Sequence, residues 1–343
     1  MKFVIDQTIP FIKGTLEPYA EIVYLDGPSI SNADLKDADG LIILHHTRCN
    51  RELLQGTSVK IIATATIGTD HIDLAYCKAN NIYVQNAPGC NSGGVMNYVF
   101  SALYGAASRG RIPLSGATMG IIGVGQVGSR VESMAKYLGF KLLLCDPPRA
   151  EAEGEAQFVS LDYLLRNSDV VTLHVPLNES TRGMADAEFF AKMKFGAFFI
   201  NTARGGIVDE DALLKEIPRL GPVIIDNWNN EPNVNLKLLE KAAIATPHIA
   251  GYSYQGKQRA TAAVVRSVAR FFRLEALYEF YPVAEVQELE AVKLELTGLT
   301  QGQITSVFQY NYPVFTDDFM FRVNPRDFES LRSNYSYRRE FYY

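Results

Sequence analysis

Cysteine is scarce in this 343-residue sequence: Cys49, Cys77, Cys90 and Cys145 form no C-x-x-C pair and no His-Cys cluster. That scatter argues against a disulfide framework or a zinc site and fits reduced thiols, so a cytoplasmic location with no metal is expected. No apolar run approaches the roughly 18 residues of a membrane span. The opening MKFVIDQTIPF alternates with acidic and polar residues where a signal peptide would be continuously apolar. Positive charge is not in excess either: 33 Lys and Arg face 38 Asp and Glu, a balance that speaks against a general nucleic-acid binder. Repeats and low-complexity stretches are missing. With 47% hydrophobic residues the chain can build large cores, and its length calls for two or three domains.

What is present is organised around residues 117 to 146, ATMGIIGVGQVGSRVESMAKYLGFKLLLCD, which read as strand, glycine turn, helix and strand. Gly123, Gly125 and Gly128 fill the spacing G-x-G-x-x-G. The first permits a tight turn, the second lets a pyrophosphate approach the backbone, and the third lets helix pack on strand. The helix expected from Gln126 and Val127 to about Leu138 would aim free N–H groups at that pyrophosphate. Asp146 follows about twenty residues on, where a carboxylate accepts hydrogen bonds from a ribose. It would repel an adenine 2′-phosphate, and Pro147 and Pro148 offer no cation, so NAD is favoured over NADP.

Before that turn the sequence alternates short apolar runs with helical patterns: KFVID, a helix near Thr15 to Ala20, EIVYLD, the helix SNADLKDA, GLIILHH, the helix RELLQG, VKIIATAT and the helix DLAYCKANN. This is the pattern of an open parallel α/β sheet. VMNYVFSALYGAASRG reads as the helix entering a second domain. Its α/β units continue through DVVTLHVPL, ADAEFFAKM, GAFFINTA, DEDALLKEI and PVIIDNW. YQGKQRATAAVVRSVARFF reads as a long helix returning to the first domain. The expected fold is therefore α/β: a Rossmann-type doubly wound sheet over 95–251, a flavodoxin-like substrate domain made of 1–94 and 252–281, and a cleft between them. Beyond Pro282 the composition turns to Phe, Tyr and Arg, with VQELEAVKLELTG alternating like strands. A small α+β domain over 282–343 is expected, suited to oligomerisation because aromatic residues are rich in interface cores.

Hydride transfer needs a proton carrier and a cation to fix the substrate. Arg204 follows the apolar strand FGAFFINTA, and strand C-terminal ends face the ligand crevice in such sheets; its planar fork suits a carboxylate. Asp226 ends PVIID and should reach the same crevice near the nicotinamide end. His248 can exchange a proton near neutrality, and Glu231 can fix its tautomer as the carboxylate does in a Ser-His-Asp triad.

Gly123 to Gly128 with Asp146, NTARGGIVDEDAL, DNWNNEP and TPHIAGY together resemble the D-2-hydroxyacid dehydrogenases over about the first 280 residues. The resemblance implies an NAD-dependent enzyme in which Arg204, Glu231 and His248 carry catalysis. Val175, the Thr202–Ala203–Arg204 backbone and Gly251 would touch the cofactor, and Thr66 and Tyr252 the substrate. KIIATATIGTDHID, NAPGCNSGGV, TPHIAGYSYQGKQRAT and the tail FESLRSNYSYRRE are similar to the branch that oxidises 4-phospho-D-erythronate to 2-oxo-3-hydroxy-4-phosphobutanoate on the way to pyridoxal phosphate. That branch carries a C-terminal dimerisation domain. Other members of the family, such as a 3-phosphoglycerate dehydrogenase or a glyoxylate reductase, and a non-enzymatic NAD sensor of the same fold, are the alternatives. LHHTRCN stands where the family more often has Arg-Ser-x-Thr-Lys: Leu44 replaces a cation, His45 aligns with a substrate-contacting Ser, and Arg48, helped by His45 or His46, is a candidate for the 4-phosphate. Asn97 stands where Glu is common, with the anchoring of its helix at stake. The tail ends at Tyr343, earlier than in longer relatives, so a trimmed third domain is expected. Arg338 or Arg339 is expected to reach the partner's cleft.

Overall fold

Short runs of Val, Ile, Leu and Phe, bounded by turns, become two parallel sheets. The computed structural model describes residues 1–283 and 287–343. The chain divides into two compact units, Met1–Asn91 with Ser253–Glu290 and Ser92–Tyr252 with Ala291–Tyr343.

The first unit carries β1 (Lys2–Asp6), β2 (Glu21–Leu25), β3 (Gly40–Ile43), β4 (Ile61–Thr64) and β5 (Tyr83–Gln85), all parallel in the order β2-β1-β3-β4-β5. Every residue of β3 and β4 is buried, as expected where a parallel sheet is covered on both faces. The helix Tyr254–Phe272 lays Ala260, Val264, Val265 and Val268 on Phe3, Ile42 and Ile61, which is why this unit needs a distant stretch of sequence. Three expected helices shrink. Residues 15–20 form turns, closed by Tyr19 N–H donating to the Leu16 carbonyl, because Pro18 has no N–H to continue a helix. SNADLKDA keeps one 3-10 turn, Ala33–Leu35, and RELLQG one turn, Arg51–Leu54.

The second unit carries β6 (Thr118–Ile122), β7 (Lys141–Cys145), β8 (Val170–Leu173), β9 (Phe198–Asn201), β10 (Val223–Ile225) and β11 (Ile244–Ala245). All run parallel in the order β11-β10-β9-β8-β6-β7. The chain steps from β6 to β7 on one side and then crosses to β8 on the other, so the sheet switches direction at β6. Ligands of open α/β sheets bind at such a switch, beyond the strand C-termini. The helix Ser92–Gly110 is buried from Ser92 through Ala107.

The tail, expected as a third domain over 282–343, instead belongs to this second unit from Ala291 onward. Its strand content is small: β12 (Val292–Lys293) pairs with β13 (Phe341–Tyr342), and Val286 of the expected strand stretch lies outside the described residues. Helices Gln301–Asn311, Val314–Val323 and Phe328–Ser333 fill the rest. Phe308, Val314 and Phe341 share one core with Phe100, Leu103 and Tyr104, and Phe321 and Phe328 share another with Trp228. Asn97 explains part of this docking. Its amide donates to the Phe341 carbonyl at 2.8 Å and its oxygen accepts from the Phe341 N–H at 2.9 Å, a pair of bonds that a Glu, lacking an N–H, could not make.

Candidate active site

The glycine turn after β6 has the three features its spacing demands. Gly123 takes φ +84°, a left-handed conformation suited to glycine. A Cβ on Gly128 would sit 2.0 Å from the Gly123 carbonyl oxygen, so only glycine lets the helix Gly128–Tyr137 pack that closely. A Cβ on Gly125 would meet nothing within 4 Å, which leaves open space where a pyrophosphate must approach. Gln126 and Val127 form the turn ahead of the helix rather than its first residues. An open cleft of about 610 Å³ borders the turn, lined by Val124, Gly125, Gln126, Ser129, Arg130 and Arg149 among others. Asp146, at the end of β7, is fixed at its edge: one carboxylate oxygen accepts from Val124 N–H at 2.7 Å and the other caps the helix Pro147–Glu153 through Arg149 N–H. The two prolines bring no cation, but Arg149 does. Its guanidinium is engaged by the Val124 carbonyl at 2.7 Å and by Glu153.

At the ends of β9, β10 and β11 the remaining motifs converge within the same unit. His248 Nδ1 lies 2.8 Å from Glu231 Oε2, and the other Glu231 oxygen accepts from Trp228 N–H at 2.9 Å. Burial pushes the Glu231 carboxyl up, but its bond to His248, the imidazole's charge, the Trp228 N–H and the charge of Arg332 outweigh it and hold it below its ordinary value. His248 sits at φ 56°, uncommon for a side-chain-bearing residue. Asp226 holds it there. The Asp226 carbonyl accepts from His248 N–H at 2.8 Å, while its carboxylate accepts from Ile249 N–H at 2.8 Å, Ala250 N–H at 3.0 Å and the Thr246 hydroxyl at 2.7 Å. Burial raises the Asp226 carboxyl, and those bonds with the His248 charge oppose it. Expected at the cofactor, Asp226 is here a buried carboxylate that shapes the His248 loop.

Arg204 leaves β9 in an extended conformation, its guanidinium donating to the Ala203 carbonyl at 2.8 Å. Asn201 knits this turn to the next, donating to the carbonyls of Arg204 and Asn227 at 3.2 Å each. Gly205 sets the spacing: a Cβ there would lie 1.9 Å from the Trp228 carbonyl oxygen. Among the described residues, the buried Thr202 hydroxyl and the Asn227 side-chain oxygen have no hydrogen-bond partner. Buried polar atoms are normally satisfied, so these two, with the open space at Gly125, fit a bound dinucleotide. Val175 packs its methyl 2.8 Å from the place a Gly123 Cβ would take, and Gly251 and Tyr252 follow the His248 loop.

In the first unit, Thr66 follows β4. Its hydroxyl donates to the Gly68 carbonyl at 2.7 Å and pairs with the Thr64 hydroxyl, which also meets His71 Nε2 at 3.1 Å. His45 packs its ring on His46, 3.7 Å between centroids, and Arg48 is exposed. Arg338, one of the two arginines expected at the partner's cleft, is held within its own chain. It is bonded to Asp317 at 2.7 Å and to the Tyr335 hydroxyl, over the Tyr312 ring, and Arg339 donates to Asn311. The four cysteines are buried and free, no group of His, Cys, Asp and Glu among the described residues could hold a metal, and no described helix is long and apolar enough to cross a membrane.

Residues 104–250 match the family model for the NAD-binding domain of D-isomer-specific 2-hydroxyacid dehydrogenases. Over 99% of its length the chain is 43% identical to the erythronate-4-phosphate dehydrogenase of Bacteroides thetaiotaomicron and 41% identical to that of Bacteroides fragilis, covering 97% of each. The chain belongs to the D-2-hydroxyacid dehydrogenase family. The crystal structure of Aquifex aeolicus D-lactate dehydrogenase with NAD and lactic acid is similar too, at 28% identity and a TM-score of 0.69 over 83% of this chain and 100% of that one. This D-2-hydroxyacid dehydrogenase is NAD-dependent. Asn201, Gly205 and Thr246 stand in the quoted motifs, but only the structure shows that they position the site; Gly205 could have been suspected from the doubled glycine after Arg204.

Proposed function

We propose that this enzyme oxidises 4-phospho-D-erythronate at C2 to 2-oxo-3-hydroxy-4-phosphobutanoate, a step of pyridoxal phosphate biosynthesis. The observation that carries the chemistry is the 2.8 Å pair of His248 and Glu231 beside the Arg204 turn. With Glu231 accepting from Nδ1, the imidazole keeps Nε2 as the base that takes the C2 hydroxyl proton, and the carboxylate stabilises the imidazolium that forms. Arg204 holds the C1 carboxylate and the C2 oxygen. NAD, held by Gly123, Gly125, Gln126, Val127, Gly128, Asp146, Val175, Thr202, Ala203 and Gly251, supplies the acceptor for the hydride leaving C2. His45, Arg48, Thr66 and Tyr252 are assigned to the substrate. The choice of substrate rests on the two Bacteroides relatives, matched along nearly the whole chain.

The homodimer and the cytoplasmic location belong to the same reading. Tyr310, Phe319, Met320 and Val323 leave large apolar side chains exposed on two tail helices, the kind of surface a second copy would cover. Sedimentation of the whole chain should give the mass of two. Initial rates with 4-phospho-D-erythronate, 3-phosphoglycerate and glyoxylate, with a 2-oxo acid present to reoxidise the cofactor, test the substrate. Preference for either of the last two would replace this reading, and no hydride transfer with any would turn it toward an NAD sensor.

A further inference from the structure

The tail helix Phe328–Ser333 delivers a cation, Arg332 of the FESLRSNYSYRRE stretch, to the catalytic histidine's neighbourhood. Arg332 keeps only 10% of its side chain exposed, and its Nε is buried without a hydrogen-bond partner. Its guanidinium donates to the Tyr252 hydroxyl and acts electrostatically on Glu231, whose other neighbour is His248 at 2.8 Å. The acid nearest to it, Glu329, stands one helical turn back at 3.5 Å and is itself 49% exposed, a weak neutraliser. Phe328 borders the guanidinium at 5.5 Å from its ring centroid. A charge this buried is costly unless something completes its pairing. Glu231, whose oxygens already meet His248 Nδ1 and Trp228 N–H, acts on it through its charge.

We propose that Arg332 binds the 4-phosphate of the substrate, from the same chain that supplies His248. This rests on the reading that 4-phospho-D-erythronate is the substrate. Arg204 takes the carboxylate on one side of C2; the phosphate lies two carbons away on the other, and a guanidinium fork with an unused N–H matches a phosphate better than a lysine would. Leu44, where the family more often has a cation, leaves this role open.

The test compares the whole enzyme with its Arg332→Lys and Arg332→Gln variants, which keep most of the buried stem. KM and kcat are measured for 4-phospho-D-erythronate and for unphosphorylated erythronate, with NADH affinity followed by fluorescence. The expected result is a rise of about 10- to 100-fold in KM for the phosphorylated substrate in Arg332→Gln, partly rescued in Arg332→Lys, with kcat, NADH affinity and the rate on erythronate changed only a few-fold. Equal losses on both substrates, or a fall in kcat with KM unchanged, would show a merely structural arginine acting through Tyr252 and overturn the inference. Wild-type enzyme that turns over 4-phospho-D-erythronate while the variants match it would do the same. Wild-type enzyme inactive on that substrate would remove the underlying reading and this inference with it.

Discussion

Gly205 is the point where the Arg204 turn meets the turn that carries Glu231. In Gly205→Ala the new Cβ would stand 1.9 Å from the Trp228 oxygen, 2.0 Å from its carbon and 2.5 Å from Asn229 N, all backbone atoms. No rotamer can relieve a backbone clash, so the two turns must part by at least about 1 Å to reach van der Waals distance. Trp228 N–H is a ligand of Glu231, and Asn229 is pinned from behind by Glu210, which accepts from its N–H at 2.7 Å. Displacement therefore falls on the Arg204 side or breaks the Trp228–Glu231 bond. A misplacement of about 1 Å in a catalytic group can cost roughly 100-fold, and overpacking of this kind destabilises by about 1–3 kcal/mol. Steady-state kinetics beside thermal melting should show kcat down by about two orders of magnitude, a lower Tm and NADH affinity within a few-fold. A Gly205→Ala enzyme with wild-type kcat would refute the claim that this contact sets the site.

Asp226→Ala leaves the N–H groups of Ile249 and Ala250 without their acceptor, costing about 2–5 kcal/mol in denaturant unfolding and loosening His248 enough to depress kcat. Asn97→Asp removes the donor to the Phe341 carbonyl while keeping the acceptor; unfolding should lose about 1–3 kcal/mol, with kcat near wild type at 25 °C. The carboxyl of Glu231 is held below its ordinary 4.5, so its contribution to stability is present above that pH and is lost as pH falls through the lower folded value. Glu231→Gln should flatten that acid limb of the stability profile, and an unchanged limb would contradict the assignment.

The sheets and the cofactor turn were legible because they depend on local pattern: Gly123, Gly125 and Gly128 each answer one steric demand that spacing alone expresses, and the helix at Tyr254–Phe272 shows its apolar face in sequence. The helix expected near residues 15–20 failed on Pro18, itself a local signal. Other differences depend on partners far along the chain. Asp226 reads as a ligand-facing carboxylate until the N–H groups of Ile249 and Ala250 are seen around it. Arg338 reads as an outward charge until Asp317, 21 residues back, neutralises it. Arg332 stands in the tail stretch FESLRSNYSYRRE without any role read for it, and the packing of Phe328 into the core beside Trp228 brings it near Glu231.

The most direct measurement is hydride transfer from 4-phospho-D-erythronate in His248→Ala, read as NADH formed in a single turnover alongside NADH affinity. Cofactor binding should be undiminished and transfer lost by orders of magnitude, because no other described group is placed by Glu231 to take the C2 hydroxyl proton. Transfer at the wild-type rate in that variant would contradict it.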